Sequence, residues 1–155
     1  MVSGEIHEAM KSVAPEDRWM HAYTYSGHPT CCAVGLKNLE IMEREGLPER
    51  AAKMGQRLLD GFKTLSEFAA VGDVRGLGLM AAVELVEDRA TKKNFDAAKK
   101  VGDRITQAMR RRGVFTRNRA EVIMFAPPLV ITEAQVDRIV SVLRDAIQEV
   151  VPGKA

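Results

Sequence analysis

Apolar residues recur along residues 29–66 at the three-and-four spacing of a helix that buries one face. Pro29 suits a first helical turn, where a missing N–H costs nothing, and Cys32, Leu36, Leu39 and Met42 follow until Gly46 offers a left-handed stop. Pro48 opens a second helix with Ala51, Met54, Leu58, Phe62 and Leu65 in phase, which predicts a broken rod whose stripe faces a core. The period then changes. Over residues 71–86, Leu77, Leu79, Ala81, Val83 and Leu85 fall on one side of an extended chain, which predicts a strand. Helical spacing returns over residues 95–112 through Ala98, Val101, Ile105 and Met109 and ends at Gly113.

Residues 114–118 and 121–126, joined through Arg119-Ala120, predict an antiparallel hairpin ended by Pro127-Pro128, which cannot continue a ladder. The last helix carries its own start signal. Thr132 and Gln135 form a capping box, and Val136, Ile139, Val140, Leu143, Ile147 and Val150 make the apolar face before Pro152-Gly153. The order helix, helix, strand, helix, strand, strand, helix predicts an α+β fold, with helices packed over one face of a small, mostly antiparallel sheet.

Composition narrows the class of protein. A chain of 155 residues, 46% hydrophobic and 28% charged, has the length and balance of one globular domain with a core of its own. No apolar run reaches the length of a membrane span, and the N-terminus MVSGEIHEAM lacks a signal-peptide pattern, so no membrane partner and a cytoplasmic location are expected. The net charge of +2 contains one basic tract, Arg110-Arg111-Arg112, placed before Gly113 where cations complement the carbonyl end of a helix. No nucleic-acid partner is expected from that pattern.

Candidate chemistry concentrates in HAYTYSGHPTCCA, residues 21–33. Adjacent Cys31 and Cys32 do not readily bridge each other and have no further ligands at metal-site spacing; they read as small buried apolar fillers. His21 and His28 lie seven apart with no acid placed to complete a metal set, so no metal site is expected. Thr24 and Ser26 hydroxyls, Gly27 and a helix start at Pro29 offer donors suited to a phosphate. The same residues also serve to cap and turn a chain. Further along, Arg117 is either a solvated cross-strand charge or a planar fork that receives a carboxylate bidentately. Arg75 has the same two readings, with an internal ion pair to Glu84 or Asp73 as the plainer one, and Gly76 and Gly78 mark close backbone packing in a strand.

Three separated stretches together carry a resemblance: HAYTYSGHPTCCAVGLKNLEIMEREGL, DVRGLGLMAAVELVED and GVFTRNRAEVIMFAPPLVITEAQVDRIVSVLRDAI. In order and spacing they resemble the C-terminal part of a class III, pyridoxal-phosphate-dependent aminotransferase of the omega-transaminase type. The resemblance implies the small domain of a fold-type I transferase at residues 67–155, connecting helices at 29–66, and a remnant of the large cofactor domain with its phosphate loop at 1–28. It implies that Thr24 and the backbone of Tyr23 bind the phosphate of pyridoxal 5'-phosphate across a homodimer. It also implies that Arg117 is the mobile arginine that pairs with a substrate carboxylate and swings aside for an uncharged amine, while Arg119, two positions on, does not match.

The family activity so implied transfers an amino group between an amine or omega-amino acid and an alpha-keto acid such as pyruvate. Its chemistry needs a lysine tether, an aspartate on the pyridine nitrogen and an aromatic ring-stacker, all upstream of the stretch matched here. None of the lysines present fills the tether position; Lys11 and Lys37 fall on solvated helix faces. The chain by itself is therefore expected to be inert and not to retain the cofactor. A stand-alone binding or regulatory module, or one half of a split enzyme, are the alternatives.

Overall fold

The computed structural model describes residues 2–19, 23–24 and 26–153. The chain divides into two compact units, Met1–Ile41 and Met42–Ala155. In the first unit, helix α1 spans Gly4–Ser12, an element outside the sequence-predicted set, and its start is set by the Ser3 hydroxyl, which accepts from the Ile6 amide at 3.3 Å. Helix α2, Pro29–Arg44, carries the expected period, yet none of its residues is buried. Leu36 is 69% and Leu39 56% exposed, and both cysteines are exposed thiols. The expectation of a core-facing stripe and of buried cysteine fillers is thereby corrected for this helix. Periodicity marks the face able to bury, and burial requires a partner surface.

The second unit contains the core. Helix α3 spans Leu47–Lys63, β1 Val71–Leu77, β2 Met80–Leu85, α4 Val101–Arg111, β3 Arg117–Arg119, β4 Val122–Phe125 and α5 Glu133–Val150. The four strands form one antiparallel sheet in the order β1-β2-β4-β3. Ala81, Val83 and Leu85 of β2 and Ile123 and Phe125 of β4 are buried on one face, against α3, α4 and α5. Leu58 and Phe62 of α3, Ile105 and Met109 of α4, and Leu143 and Ile147 of α5 close that layer with no residual exposure. Each such side chain contributes about 1.5–3 kcal/mol by leaving water. The α+β fold class expected from the element order is the one observed.

Two local expectations give way. Residues 71–86 form a hairpin rather than a single strand: Gly78 at φ +53° turns the chain, Leu77 pairs with Met80, and Leu77 is 89% exposed. Alternation continues through a tight turn, so it could not reveal one. Gly78 also serves close packing, because a Cβ on Gly55 of α3 would lie 2.0 Å from the Gly78 carbonyl oxygen. Helix α4 starts at Val101, after a short 3₁₀ turn at Ala97–Lys99 and a left-handed Lys100 at φ +46°, not at residue 95. The β3–β4 hairpin forms as the sequence predicts, but β3 begins at Arg117 rather than residue 114 and the turn is Ala120-Glu121 rather than Arg119-Ala120, with Arg119 paired to Val122; the stop at Gly113 (φ +80°) and the Thr132–Gln135 capping box are as predicted. Among the described residues no helix is long and apolar enough to cross a membrane.

Candidate functional site

Strand pairing places residues directly opposite one another on a common face. Across the sheet, Arg75 faces Ala82, Ala82 faces Met124, and Met124 faces Arg117, so these four side chains form one row. The row lies on the side away from the helices, since its neighbours Ala81, Val83, Ile123 and Phe125 point into the core. Beside it runs a second row, Asp73, Glu84, Val122 and Arg119.

A cavity of about 1270 Å³ extends from the first row to the segment 126–132 and the start of α5. Its rim is apolar: Met80 is 72%, Phe115 75% and Val130 59% exposed. Four arginines line it. Arg75 donates through Nη1 to Asp73 Oδ2 at 2.7 Å and to Glu84 Oε2 at 2.6 Å, and these two carboxylates hold its guanidinium more firmly protonated than usual. The Arg110 guanidinium stands 5.4 Å above the Phe115 ring, and Arg138 Nη2 donates to the Arg112 carbonyl at 2.9 Å. Arg117 alone among them has no hydrogen-bond, ion-pair or ring partner among the described residues. A guanidinium that is always charged, exposed beside apolar surface and unpaired is a ready receptor for a planar anion.

The backbone around Arg117 is held from the helix side. Thr116 Oγ1 donates to the Met124 carbonyl, and Asn118 reaches the other face, where its amide donates to Asp103 Oδ1 at 2.8 Å and to the Ala120 carbonyl at 2.9 Å. The Asn118 Oδ1 accepts from Thr106 at 3.1 Å. Sequence reading missed Arg110, Arg138 and the lining role of Pro127-Pro128, which read only as a strand stop. No spacing signal distinguishes Arg138 from other solvated residues of an amphipathic helix.

In the first unit, the structure brings Tyr23 and Thr24 into one turn. The Ser26 amide donates to the Tyr23 carbonyl at 2.9 Å, and the Tyr23 amide donates to Ser26 Oγ at 3.1 Å. Thr24 is exposed at that turn, and its hydroxyl has no hydrogen-bond partner among the described residues. Gly27 follows at φ +72°, and Pro29 begins α2, in which the Cys32 amide donates to the His28 carbonyl at 3.0 Å and the Thr30 and Cys31 amides precede the first helical acceptor. Cys31 and Cys32 are not bridged. His21 and Tyr25 lie outside the described residues, and among the described ones no three His, Cys, Asp or Glu side chains gather as a metal set.

The class III aminotransferase family model matches residues 3–147. This chain belongs to the class III aminotransferases. An uncharacterized aminotransferase of Bacillus subtilis is 38% identical over 96% of the chain and 34% of its own length. The diaminobutyrate–2-oxoglutarate transaminase of Halomonas elongata is 41% identical over 84% of the chain and 28% of its own. Among solved structures, the (S)-enantioselective omega-transaminase of Thermomicrobium roseum superposes with a TM-score of 0.86 at 44% identity, covering 97% of this chain and 33% of that one. The Pseudomonas jessenii omega-transaminase in complex with PMP superposes at 0.78 with 41% identity, over 86% of this chain and 30% of that one. The class III chain thus spans about a third of the length of the relatives it matches. Its α+β unit corresponds to the small domain of fold-type I transaminases.

Proposed function

We propose that this class III chain supplies the carboxylate receptor and part of the phosphate grip of a pyridoxal-phosphate-dependent aminotransferase. The reaction moves an amino group between an amine or omega-amino acid and an alpha-keto acid such as pyruvate. The observation that carries this reading is Arg117: of the arginines lining the cavity, it is the one left unpaired among the described residues. Its fork receives the keto-acid carboxylate bidentately and orients the carbonyl carbon, and the apolar rim excludes water around that ion pair.

Pyridoxal phosphate, when bound, supplies the electron sink for moving the amino group. The residues present fit its phosphate tail. The exposed Thr24 hydroxyl and the first amides of α2 are donors without protein acceptors, as an anion needs. The Tyr23 amide joins them by exchanging Ser26 Oγ for a phosphate oxygen. Thr24 grips the cofactor of the partner subunit in a homodimer, residues 67–155 act as the small domain, and the enzyme works in the cytoplasm. The chain alone is inert and does not keep the cofactor, a reading supported by Lys11 and Lys37 being exposed and paired with Glu8 and Glu40.

The test grafts residues 3–150 in place of the corresponding third of the Thermomicrobium roseum omega-transaminase and measures each half-reaction in single turnover. Arg117→Ala is expected to lower kcat/KM for the keto acid about 100-fold, the loss of a bidentate charged pair worth about 2.7 kcal/mol. The half-reaction with a simple amine is expected to change less than about threefold, a shift under 1 kcal/mol. Equal loss in both would refute the role of Arg117. For the isolated chain, borohydride reduction after adding pyridoxal phosphate is expected to give no stoichiometric label on one lysine; such a label would refute inertness.

A further inference from the structure

The sheet ends on two unlike edges. At one stands β3, whose short run Arg117-Asn118-Arg119 sets a cation on either side of Asn118. At the other stands β1, with an acid, Asp73, and a base, Arg75, on either side of Val74. The ladder decides which backbone groups β1 turns outward. The Leu85 amide donates to the Glu121 carbonyl at 3.0 Å, toward β4, so by alternation Met80, Ala82 and Glu84 bond toward β1, and their partners Leu77, Arg75 and Asp73 bond inward. The N–H and C=O of Val74 and Gly76 therefore point away from the sheet, and they meet no hydrogen-bond partner among the described residues. Gly72, Asp73, Arg75 and Gly76 are exposed along this edge. Neither proline nor lysine blunts it, and its one irregularity, the register shift between Val71 and Asp73, lies at the start of the strand.

We propose that β1 is an interface for a second copy of this chain, the two sheets joining edge to edge and antiparallel about a two-fold axis at Val74. In Gly72-Asp73-Val74-Arg75-Gly76, reversing the strand exchanges acid for base and leaves the rest unchanged. Two such strands centred on Val74 set Asp73 opposite Arg75 twice over, with glycine opposite glycine where no side chain obstructs the approach. Val74, whose backbone groups face outward, exchanges both hydrogen bonds with its counterpart, so the acid–base pairs fall at the closer spacing of the alternate, non-bonded positions. The Val74 side chain, half-buried against the core, is covered further by its twin. Asp73 and Arg75 are bonded to each other at 2.7 Å within one chain, yet each side chain stays about half exposed and open to a second partner. Backbone bonds supply the attraction, and the charges fix direction and register. Sliding the centre to Asp73 or to Arg75 sets like charge against like, as does a parallel partner in register. The same two-fold operation at Asn118 sets Arg117 against Arg119, so the β3 edge repels a copy of itself where the β1 edge accepts one. The contact uses neither Tyr23 nor Thr24 and does not rest on the keto-acid reading of Arg117.

The test is sedimentation equilibrium of the full 155-residue chain at concentrations on the order of 1 µM to 1 mM, where the unmodified chain is expected to dimerise. Asp73→Arg sets cation against cation at both ends of the contact, and Arg75→Asp sets anion against anion. Each is expected to weaken the dimer about tenfold or more. Mixed in equal amounts the two variants complement each other, and a heterodimer as tight as the parent dimer is expected by native mass spectrometry with one variant isotopically labelled. Should a variant not fold, amide exchange in the unmodified chain reads the same contact: the Val74 and Gly76 amides are expected to slow as concentration rises. The Asn118 amide, outward on the opposite edge by the same alternation, is expected to keep its rate. A chain that stays monomeric, a dimer indifferent to both substitutions, variants that fail to recombine, or exchange at Val74 and Gly76 independent of concentration would each overturn the pairing, and none of these bears on the roles proposed for Thr24 and Arg117.

Discussion

Gly55 is where helix α3 comes closest to the sheet, and replacing it with alanine tests the packing that shapes this unit. An ideal Cβ at Gly55 would lie 2.0 Å from the Gly78 carbonyl oxygen, 2.1 Å from its carbon and 2.6 Å from its Cα. All three are backbone atoms, so no side chain can rotate away. Reaching a tolerable separation of 3.0 Å requires α3 and the β1–β2 turn to part by about 1 Å, and that turn is itself fixed by Gly78 at φ +53°. Parting the layers loosens Met54 and Leu58, which stand within one turn of Gly55 in the core. Forced backbone shifts of this kind cost about 1–3 kcal/mol or more, whereas alanine returns about 1 kcal/mol of helix propensity. Gly55→Ala is therefore expected to destabilise by about 2 kcal/mol in urea unfolding followed by circular dichroism. Gly35, in the middle of α2, is the matched control: nothing lies within 4 Å of its ideal Cβ. There the same substitution is expected to add helicity and about 0.5–1 kcal/mol of local stability. A Gly55→Ala protein as stable as its parent would refute the close approach.

Thr132→Ala removes the hydroxyl half of the α5 capping box, in which Thr132 Oγ1 accepts from the Gln135 amide, and leaves the half in which Gln135 Oε1 accepts from the residue-132 backbone amide; a loss of about 1 kcal/mol in urea unfolding is expected. On acidification the unit should weaken: Lys93 first and Lys99 second hold Glu87 down to about 2 from its usual 4.5, and Arg57 and Arg112 lower Asp137 and Glu149. Because these folded-state values lie below the unfolded ones, their contribution is complete above about pH 5 and drains as pH falls toward 2. The urea midpoint should drop between about pH 6 and pH 3, less so in Glu87→Gln, and a flat profile would refute those pairings.

Much of the second unit was legible because its signals were local. The capping box starts α5, Gly113 ends α4, and the prolines after Ala126 end β4, each through backbone chemistry that does not depend on partners. What failed depended on partners or on a turn with no break in pattern. The stripes of α2 and α3 have the same period, yet Phe62 is fully buried and Leu36 is 69% exposed, because spacing describes a face and not what lies against it. In LGLM the alternation of apolar residues runs straight through the left-handed Gly78, so one strand and a two-residue hairpin look alike. Helix α1 escaped notice although Ile6, Ala9 and Met10 stand at helical spacing behind its Ser3 cap, because nine residues offer little more than two turns of pattern. Arg117 was legible only as one of two readings. What separates it from Arg75, Arg110 and Arg138 is that each of those has a partner, and pairing is a property of the folded arrangement.

How a three-residue edge strand aims Arg117 at all is answered by its neighbours on the other face. Side chains alternate along β3, so a slip of one residue would turn Arg117 toward the core and Asn118 toward the cavity. Three pairs with β4 are a weak guarantee of register on their own. Asn118 supplies the remainder: its three bonds to Asp103, Thr106 and the Ala120 carbonyl tie the strand to α4, and burying its amide anywhere else would leave those groups unpaired. The contact is close enough to demand a glycine at 102, where a Cβ would meet the Ala120 oxygen at 2.0 Å, and the left-handed Ala120 at φ +48° completes the turn that seats there. The orientation of the exposed arginine is therefore fixed by an asparagine, a glycine and a helix on the opposite side of the sheet, while its guanidinium stays unpaired among the described residues. Rigidity of the strand and freedom of the fork are produced by the two faces of the same three residues.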